Sequence, residues 1–232
     1  MYTATTSCHW KHSSLFVFSE NMAQKGLGAS RGCTSEQKEF NIVAVGDAAC
    51  GKTALITTYT TGVFPEYCLP TVLESTVANT VFDGQQFQLN ISDCSGTEDF
   101  DRLRPMSYRN VDVVLICYDV MSPATFENVF HRWYPEVQHF CAGVPIILVG
   151  CKTDLRSDKF LEEKLWSLGQ NAIMYTQGEE ARRKISAVAY LECSAKCNEN
   201  VDDVFREATK QALMVKRVKA RVTKSGSPCA LL

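Results

Sequence analysis

A chain of 232 residues, 45% of them hydrophobic, can form one domain of ordinary size with a full core and appended segments. Its longest apolar runs, such as 113–117, fall far short of the roughly 20 residues that a membrane-spanning helix needs, so we expect no such helix. Eleven cysteines without CxxC pairs indicate a reduced chain rather than a disulfide scaffold.

Charge is distributed unevenly along the sequence. Residues 1–38 carry a net charge of +2 and residues 216–232 a net charge of +5, so the stretch between them holds −9 of a total of −2. An acidic body followed by a basic tail argues against nucleic-acid binding by the domain and favours a tail that is directed to a membrane surface.

The first segment, 1–39, is predicted to be a flexible extension, because it is rich in Ser, Thr and Gly and lacks a helical or strand period. It also lacks the basic start and the long apolar run of a secretory signal. Cys8, His9 and His12 could form part of a metal cluster, but a solvated tail is the better interpretation, since the segment offers no second ligand pair. Met22 could also serve as an internal start.

From Phe40 onward, short β-rich runs alternate with helical stretches, which predicts an α/β fold with a mostly parallel sheet. Strands are predicted at 40–46, on both sides of the Asp83-Gly84 turn, at 111–120, at 144–150 and at 189–193. Helices are predicted from Lys52, from Ser122-Pro123 to about Val137, at 178–187 and at 201–218. The last helix has an apolar face made of Val201, Val204, Phe205, Ala208, Ala212 and Val215.

The segment GDAACGKT (46–53) matches the phosphate-loop pattern and lies between a predicted strand and a predicted helix. In such a loop, backbone N–H groups cradle phosphates, the lysine reaches the β- and γ-phosphate oxygens, and the hydroxyl binds Mg²⁺. We therefore predict a nucleotide site with Lys52 and Thr53 at its centre. Its remaining loop residues are Gly46, Asp47, Ala48, Ala49, Cys50, Gly51 and Ala54.

Two further segments indicate which base is bound. CKTD (151–154) and CSAK (193–196) each follow a predicted buried strand, at the sheet edge where ligands bind in open α/β folds. The Asp154 carboxylate can accept two hydrogen bonds from guanine N1 and N2, groups that adenine cannot match. Each motif alone is weak, but together and after a phosphate loop they favour guanine.

With these motifs the sequence resembles the small GTPases of the Ras superfamily and, among them, the Rho family. The resemblance covers about 40–215 and the last four residues, and it includes FPE, PTV, EDFDRLRPMSY, WYPEVQHFC and a charged insertion at about 156–178. GCKTDLR, AYLECSAK and VFREAT are most similar to the RhoF/RhoD subgroup. The resemblance implies a P-loop GTPase fold: a mostly parallel sheet with one antiparallel edge strand, helices on both faces and a Rho-type insert helix.

The resemblance also implies roles outside the phosphate loop. Thr71 would bind Mg²⁺ and the γ-phosphate, Asp93 would hold Mg²⁺ through water, and the Gly96 N–H would donate to the γ-phosphate. The implied effector region comprises Cys68, Leu69, Pro70, Thr71 and Val72. The implied base site comprises Phe64, Lys152, Leu155, Ser194, Lys196 and Ala195, whose N–H would reach guanine O6.

Three positions depart from the family pattern. Ala48 replaces a glycine and crowds the space that an arginine finger and the catalytic glutamine share. Thr97 stands where the family motif DTAGQ has that glutamine, and it is two heavy atoms shorter and lacks the amide that positions the attacking water. Cys68 replaces a switch I tyrosine, which would loosen the cover over the nucleotide and speed exchange.

The catalytic set would thus be Lys52, Thr71, Gly96 and Thr97, and we predict a GTPase by class whose hydrolysis is impaired and which is mostly GTP-bound. The alternative is a conventional cycling GTPase, for which a helper protein supplies the water-positioning group. A more distant alternative is a pseudo-GTPase that has lost nucleotide. The intact set of Lys52, Thr53, Thr71, Asp93 and Asp154 argues against that alternative.

The final residues, CALL, form a CaaX box that favours geranylgeranylation of Cys229. One lipid chain anchors only reversibly, so a second signal is expected. The basic tail 216–232 can supply this second signal, because each cation near an anionic leaflet adds up to roughly 1 kcal/mol of attraction. The alternative is that these cations belong to a solvated helix end. The cations of the tail are Lys216, Arg217, Lys219, Arg221 and Lys224.

The resemblance and the tail together imply a signalling protein on the cytoplasmic side of the plasma membrane or endomembranes, with a cytosolic pool. Its partners would be effectors that control actin and cell shape, exchange factors, GTPase-activating proteins (GAPs) and a guanine nucleotide dissociation inhibitor. No nucleic acid is expected among them.

Overall fold

The computed structural model describes residues 38–225. Six strands form one sheet: β1 (Lys38–Val45), β2 (Leu73–Phe82), β3 (Gln85–Cys94), β4 (Val113–Asp119), β5 (Ile146–Cys151) and β6 (Ala189–Cys193). Their order is β2-β3-β1-β4-β5-β6, and every neighbouring pair is parallel except the β2–β3 pair at the edge. The predicted mostly parallel sheet with one antiparallel edge strand is confirmed.

The β2–β3 hairpin closes through the turn that the sequence predicted. Asp83 and Gly84 both have positive φ, 50° and 71°, as a two-residue turn of type I′ requires. Phe82 and Gln85 form the first pair of the ladder on either side of this turn.

In the part of the chain that the structure describes, six α-helices flank the sheet: α1 (Lys52–Thr61), α2 (Pro123–Asn128), α3 (Tyr134–Phe140), α4 (Lys159–Ser167), α5 (Tyr175–Lys184) and α6 (Val201–Ser225). The stretch predicted as a single helix to about Val137 is wound differently in its middle, because a π-helical turn at Val129–Trp133 joins α2 to α3. Pro123 occupies the first turn as predicted, but the Ser122 hydroxyl makes no capping hydrogen bond. The Ser122 carbonyl instead accepts the N–H groups of Thr125 and Phe126.

Helices cover both faces of the sheet, as predicted. On one face α1 and α6 pack on the strands, and on the other face α2, α3 and α5 do so. In α6 the predicted apolar face is buried at five of its six positions, while Val215 is only half-buried. The Phe205 ring of this face stacks on Tyr59 of α1 with ring centroids 3.9 Å apart, so the two helices form one apolar layer.

The predicted insertion at 156–178 contains the short helix α4. The Asp158 carboxylate begins the helix by accepting the N–H groups of Phe160 and Leu161, at 3.0 and 3.3 Å. Phe160 and Trp166 are largely exposed, so this helix lies on the surface. Within 38–225, no helix has the length and apolar character that a membrane crossing demands.

Lys216 ties α6 to the beginning of the sheet. Its ammonium lies 4.4 Å from the ring centroid of Phe40, donates to the Glu39 carbonyl and forms an ion pair with Asp112 at 3.4 Å. The expectations for Cys8, His9, His12, Met22 and Cys229 concern positions outside the described residues, and the limits of the domain stay predictions.

Candidate nucleotide site

The loop between β1 and α1 is shaped by glycines that no other residue could replace without strain. Gly46 has a φ of 146°, and a β-carbon there would lie 2.2 Å from the Cys117 carbonyl oxygen. Gly51 has a φ of 115°, and a β-carbon there would lie 3.0 Å from the Cys151 β-carbon. The loop therefore fits closely against β4 and β5 and turns directly into α1.

Lys52 lies inside this loop. Its side chain is buried, and its ammonium donates to the carbonyl oxygens of Gly46 and Asp47 at 2.9 and 2.8 Å. Burial alone would lower the pKa of Lys52, but the sulfur of Cys50 and the charge of Asp93 beside it raise that pKa above its ordinary value. The ammonium is thus a fixed positive charge enclosed by the loop, which is what a phosphate group requires.

Two hydroxyls and one carboxylate meet next to the lysine. The Thr53 hydroxyl donates to Asp93 Oδ2 at 2.6 Å, and the Thr71 hydroxyl lies 3.0 Å from Thr53 Oγ1 and 3.3 Å from the same carboxylate oxygen. The second oxygen, Asp93 Oδ1, is buried without a hydrogen-bond partner. Burial raises the Asp93 pKa against the opposing effect of these hydroxyls and Lys52. A hard cation would relieve this desolvation, so the oxygen donors fit Mg²⁺.

The two base motifs are joined by a hydrogen bond. The buried Ser194 hydroxyl donates to Asp154 Oδ1 at 2.7 Å and accepts the Cys197 N–H at 3.0 Å. Lys152 has a left-handed backbone, with a φ of 64°, and its ammonium bonds Asp119 Oδ2 at 2.7 Å. Asp154 is therefore oriented by CSAK, and Lys152 by the end of β4.

A cleft of about 500 Å³ connects the phosphate end to the base end. This volume lies within the range of ligand pockets. The predicted residues that line it are Ala48, Ala49, Gly51, Lys52, Thr53, Ala54, Phe64, Cys68, Leu69, Pro70, Thr71, Gly96, Thr97, Lys152, Asp154, Leu155, Ala195 and Lys196. The predicted residues that are not part of this lining are Gly46, Asp47, Cys50, Val72, Asp93 and Ser194.

The segment DCSGT (93–97), which stands where the family has DTAGQ, packs against the phosphate loop at Ala48. A β-carbon on Gly96 would lie 2.2 Å from the Ala48 backbone nitrogen, so the two backbones are in direct contact. The Ser95 hydroxyl lies 3.0 Å from the Thr97 hydroxyl and accepts the Thr97 N–H at 3.4 Å. The Thr97 side chain is thus held to its own segment, at the position where the family has a longer amide.

Sequence reasoning missed several residues of this site. Ser95 and Cys151 line the cleft, and Arg104 is buried behind it and donates to the Ser95 carbonyl at 2.7 Å. Ser95 could have been identified as a further departure from the family, because it stands where the family motif DTAGQ has alanine. Arg104 carried no local signal, since its role depends on an ion pair with Glu136, which lies 32 positions away.

Comparison with known proteins agrees with this geometry. The model of the Ras family matches residues 41–214. The chain is 51% identical over 198 residues to the Rho-related GTP-binding protein RhoF of Bos taurus, covering 85% of the chain and 92% of that protein. It is 50% identical over 176 residues to the Rho-related GTP-binding protein RhoD of Homo sapiens, with coverage of 76% and 84%. The chain belongs to the Rho GTPases of the Ras family.

This Rho-type GTPase also resembles the GTP-binding protein RHO1 of Candida albicans, at 47% identity over 183 residues that cover 79% of the chain and 92% of the relative. The high identity to RhoF and RhoD confirms the predicted RhoF/RhoD subgroup. As a Rho GTPase, the protein is an enzyme of the class that hydrolyses GTP to GDP.

Proposed function

We propose that this Rho-type GTPase is a membrane-anchored guanine-nucleotide switch whose own GTP hydrolysis is impaired, so that it is mostly GTP-bound. The observation that carries this proposal is Thr97 at the glutamine position, with its hydroxyl paired to Ser95 at 3.0 Å. The identity to GTP-binding relatives and the fixed charge of Lys52 support the nucleotide-binding part.

In this proposal the described residues divide the work of nucleotide binding. Lys52 and the loop N–H groups hold the phosphates, Thr53, Thr71 and Asp93 hold Mg²⁺, and Asp154 selects guanine. Mg²⁺ supplies neutralisation of the phosphate oxygens when bound. The Ser194 hydroxyl, at 2.7 Å from Asp154, keeps that carboxylate aimed at the base.

Hydrolysis is impaired by two side chains, those of Thr97 and Ala48, which lie on either side of the contact between the DCSGT segment and the phosphate loop. Phosphoryl transfer depends on positioning the attacking water and on stabilising charge, and Thr97 has neither the reach nor the amide for the first task. The exposed β-carbon of Ala48 occupies space next to Gly96, where an arginine finger would have to enter. Each change costs several orders of magnitude of stimulated rate, and the two losses overlap because they act on one step.

Effectors and regulators of the GTPase kind would read the surface beside this cleft. Leu69 of the effector region and the preceding Tyr67 are 83% and 88% exposed, and Met106 in the segment after Thr97 is 62% exposed. Exposed apolar groups in one region mark an interaction surface. By family, the output is control of actin and cell shape, and the partners include exchange factors, GAPs and a dissociation inhibitor.

Anchoring relies on Cys229 and the basic tail, which would place the protein on the cytoplasmic side of membranes, with a cytosolic pool. Lys216 contributes less to this attraction than the other tail cations, because its ammonium is engaged by Phe40 and Asp112. The membrane-directed charge then comes mainly from residues 217–224.

Single-turnover GTP hydrolysis by the magnesium-loaded protein, with and without a broad-range Rho GAP, tests the proposal. We expect slow turnover that the GAP does not raise, and restored stimulation in the double variant Ala48→Gly, Thr97→Gln. Normal stimulation of the unmodified protein would show instead a conventional cycling GTPase. Failure to retain GDP or GTP at all would show a pseudo-GTPase.

A further inference from the structure

The side chain of Asp47 is held by two donors that do not belong to the phosphate loop. Trp133 Nε1 donates to Asp47 Oδ1 at 2.7 Å, and Asn128 Nδ2 donates to Asp47 Oδ2 at 2.7 Å. Both carboxylate oxygens are therefore engaged at once. We call Asn128 and Trp133 the Asp47 clamp.

The π-helical turn Val129–Trp133 is what brings the two donors together. Residues five positions apart in an α-helix lie about 140° apart around the axis and point in different directions. In a π-helix the backbone bonds run from i to i+5, and here the Tyr134 N–H donates to the Val129 carbonyl. The wider turn places Asn128 and Trp133 on one side of the helix, facing Asp47.

The indole of Trp133 is linked to the DCSGT segment through Arg104. Its ring is fully buried, and the guanidinium of Arg104 lies 4.8 Å from the ring centroid. The same Arg104 donates to the Ser95 carbonyl at 2.7 Å and to Glu136 of α3 at 2.7 Å. Trp133 and Arg104 together thus connect the phosphate loop with Ser95 and with α3.

Holding Asp47 matters for the nucleotide because its backbone carbonyl is one of the two acceptors of the Lys52 ammonium, at 2.8 Å. A shift of Asp47 moves this acceptor and the neighbouring Ala48 N–H, which faces Gly96. Holding the carboxylate from outside therefore fixes the shape of the loop before any phosphate arrives, and preorganisation of this kind raises affinity.

We propose that Asn128 and Trp133 are positioning residues that hold the phosphate loop in its nucleotide-binding shape through Asp47, and that the π-helical turn serves this clamp. The inference rests on the proposed nucleotide site at 46–53. It assigns to the α2–α3 stretch a role in retaining the nucleotide, although neither donor lines the cleft.

The test is the dissociation rate of a fluorescent GDP analogue from the full chain in excess Mg²⁺. Trp133→Phe removes the N–H and keeps a ring for Arg104, while Asn128→Ala removes the other donor. Since a hydrogen bond to a charged group is involved in each case, we expect dissociation about tenfold faster in each variant. Trp166→Phe, in the exposed part of α4, is the matched control and should leave the rate unchanged.

A double-mutant cycle separates positioning from general loss of packing. In an Asp47→Ala background, Trp133→Phe and Asn128→Ala should cause no further acceleration, because the clamped group is gone. Full acceleration in that background, or rates within twofold of the unmodified chain in both single variants, would overturn the clamp. If Trp133→Phe does not fold, Asn128→Ala alone decides, since it changes a half-buried side chain. An unmodified chain that does not bind GDP would contradict the nucleotide site itself.

Discussion

Replacing Gly96 by alanine should selectively weaken GTP binding. The added β-carbon would lie 2.2 Å from the Ala48 nitrogen, 2.3 Å from the Asp47 carbonyl carbon and 2.4 Å from the Gly46 oxygen, whereas ordinary contacts begin at 3.4 Å. All three atoms belong to the backbone, so no side chain can move aside, and the two segments must separate by about 1 Å to restore ordinary contact.

Overpacking of this kind costs about 1–3 kcal/mol, which corresponds to a factor of about 5–150 in binding. The cost should appear mainly with GTP, because in the proposed site the Gly96 N–H bonds the γ-phosphate, which GDP lacks. The assay is the ratio of GTP to GDP affinity, measured by competition against a fluorescent nucleotide.

Gly143→Ala is the control for this variant. Gly143 also lacks a β-carbon and has a φ of 79°, but a β-carbon there meets no atom within 4 Å. It should cost some stability through backbone strain without changing the GTP to GDP ratio. A ratio for Gly96→Ala within twofold of the unmodified protein would refute the reasoning from this contact.

Three other outcomes follow from the site and the tail. Burial raises the Asp93 pKa in the folded protein, so ionisation of this carboxylate opposes folding. Without Mg²⁺, the free energy of unfolding should therefore fall as the pH rises from the ordinary carboxyl pKa to the raised pKa of Asp93. Asp93→Asn should remove that fall in melting experiments with EDTA. Ser194→Ala should weaken GDP binding about tenfold by releasing Asp154, as measured by titration. Cys229→Ser should leave the protein cytosolic, and continued flotation with membranes would contradict lipid anchoring.

Most of the sheet could be predicted because its central strands are continuous apolar runs that are buried on both faces. Helix α5 begins at Tyr175, three residues before the predicted start at 178. This start was missed because the side chain of the preceding Met174 has no oxygen that could cap the helix. Instead, the backbone N–H of Met174 donates a hydrogen bond to Gln177 Oε1 at 2.8 Å. Helix–strand alternation therefore defined the elements, and local side-chain contacts set the exact ends.

The site divides in the same way. The phosphate loop and the base motifs are local sequence patterns, so their candidate residues could be named from these patterns and from the resemblance to the Rho family. The contacts of Asp47 could not be foreseen, because its partners lie 81 and 86 positions away and converge only through a π-helical turn without a sequence signature. The pairing of Ser95 with Thr97 depends on a short loop conformation that composition does not determine.

The contacts of Lys216 bear on how the nucleotide cleft would be oriented relative to a membrane. Lys216 of α6 contacts Glu39 and Phe40, so this part of α6 lies at the end of the sheet where β1 begins. The cleft lies at the opposite end of the sheet, next to the carboxyl ends of the parallel strands β1, β4, β5 and β6. If the tail holds the protein to a membrane, this cleft would face away from that membrane.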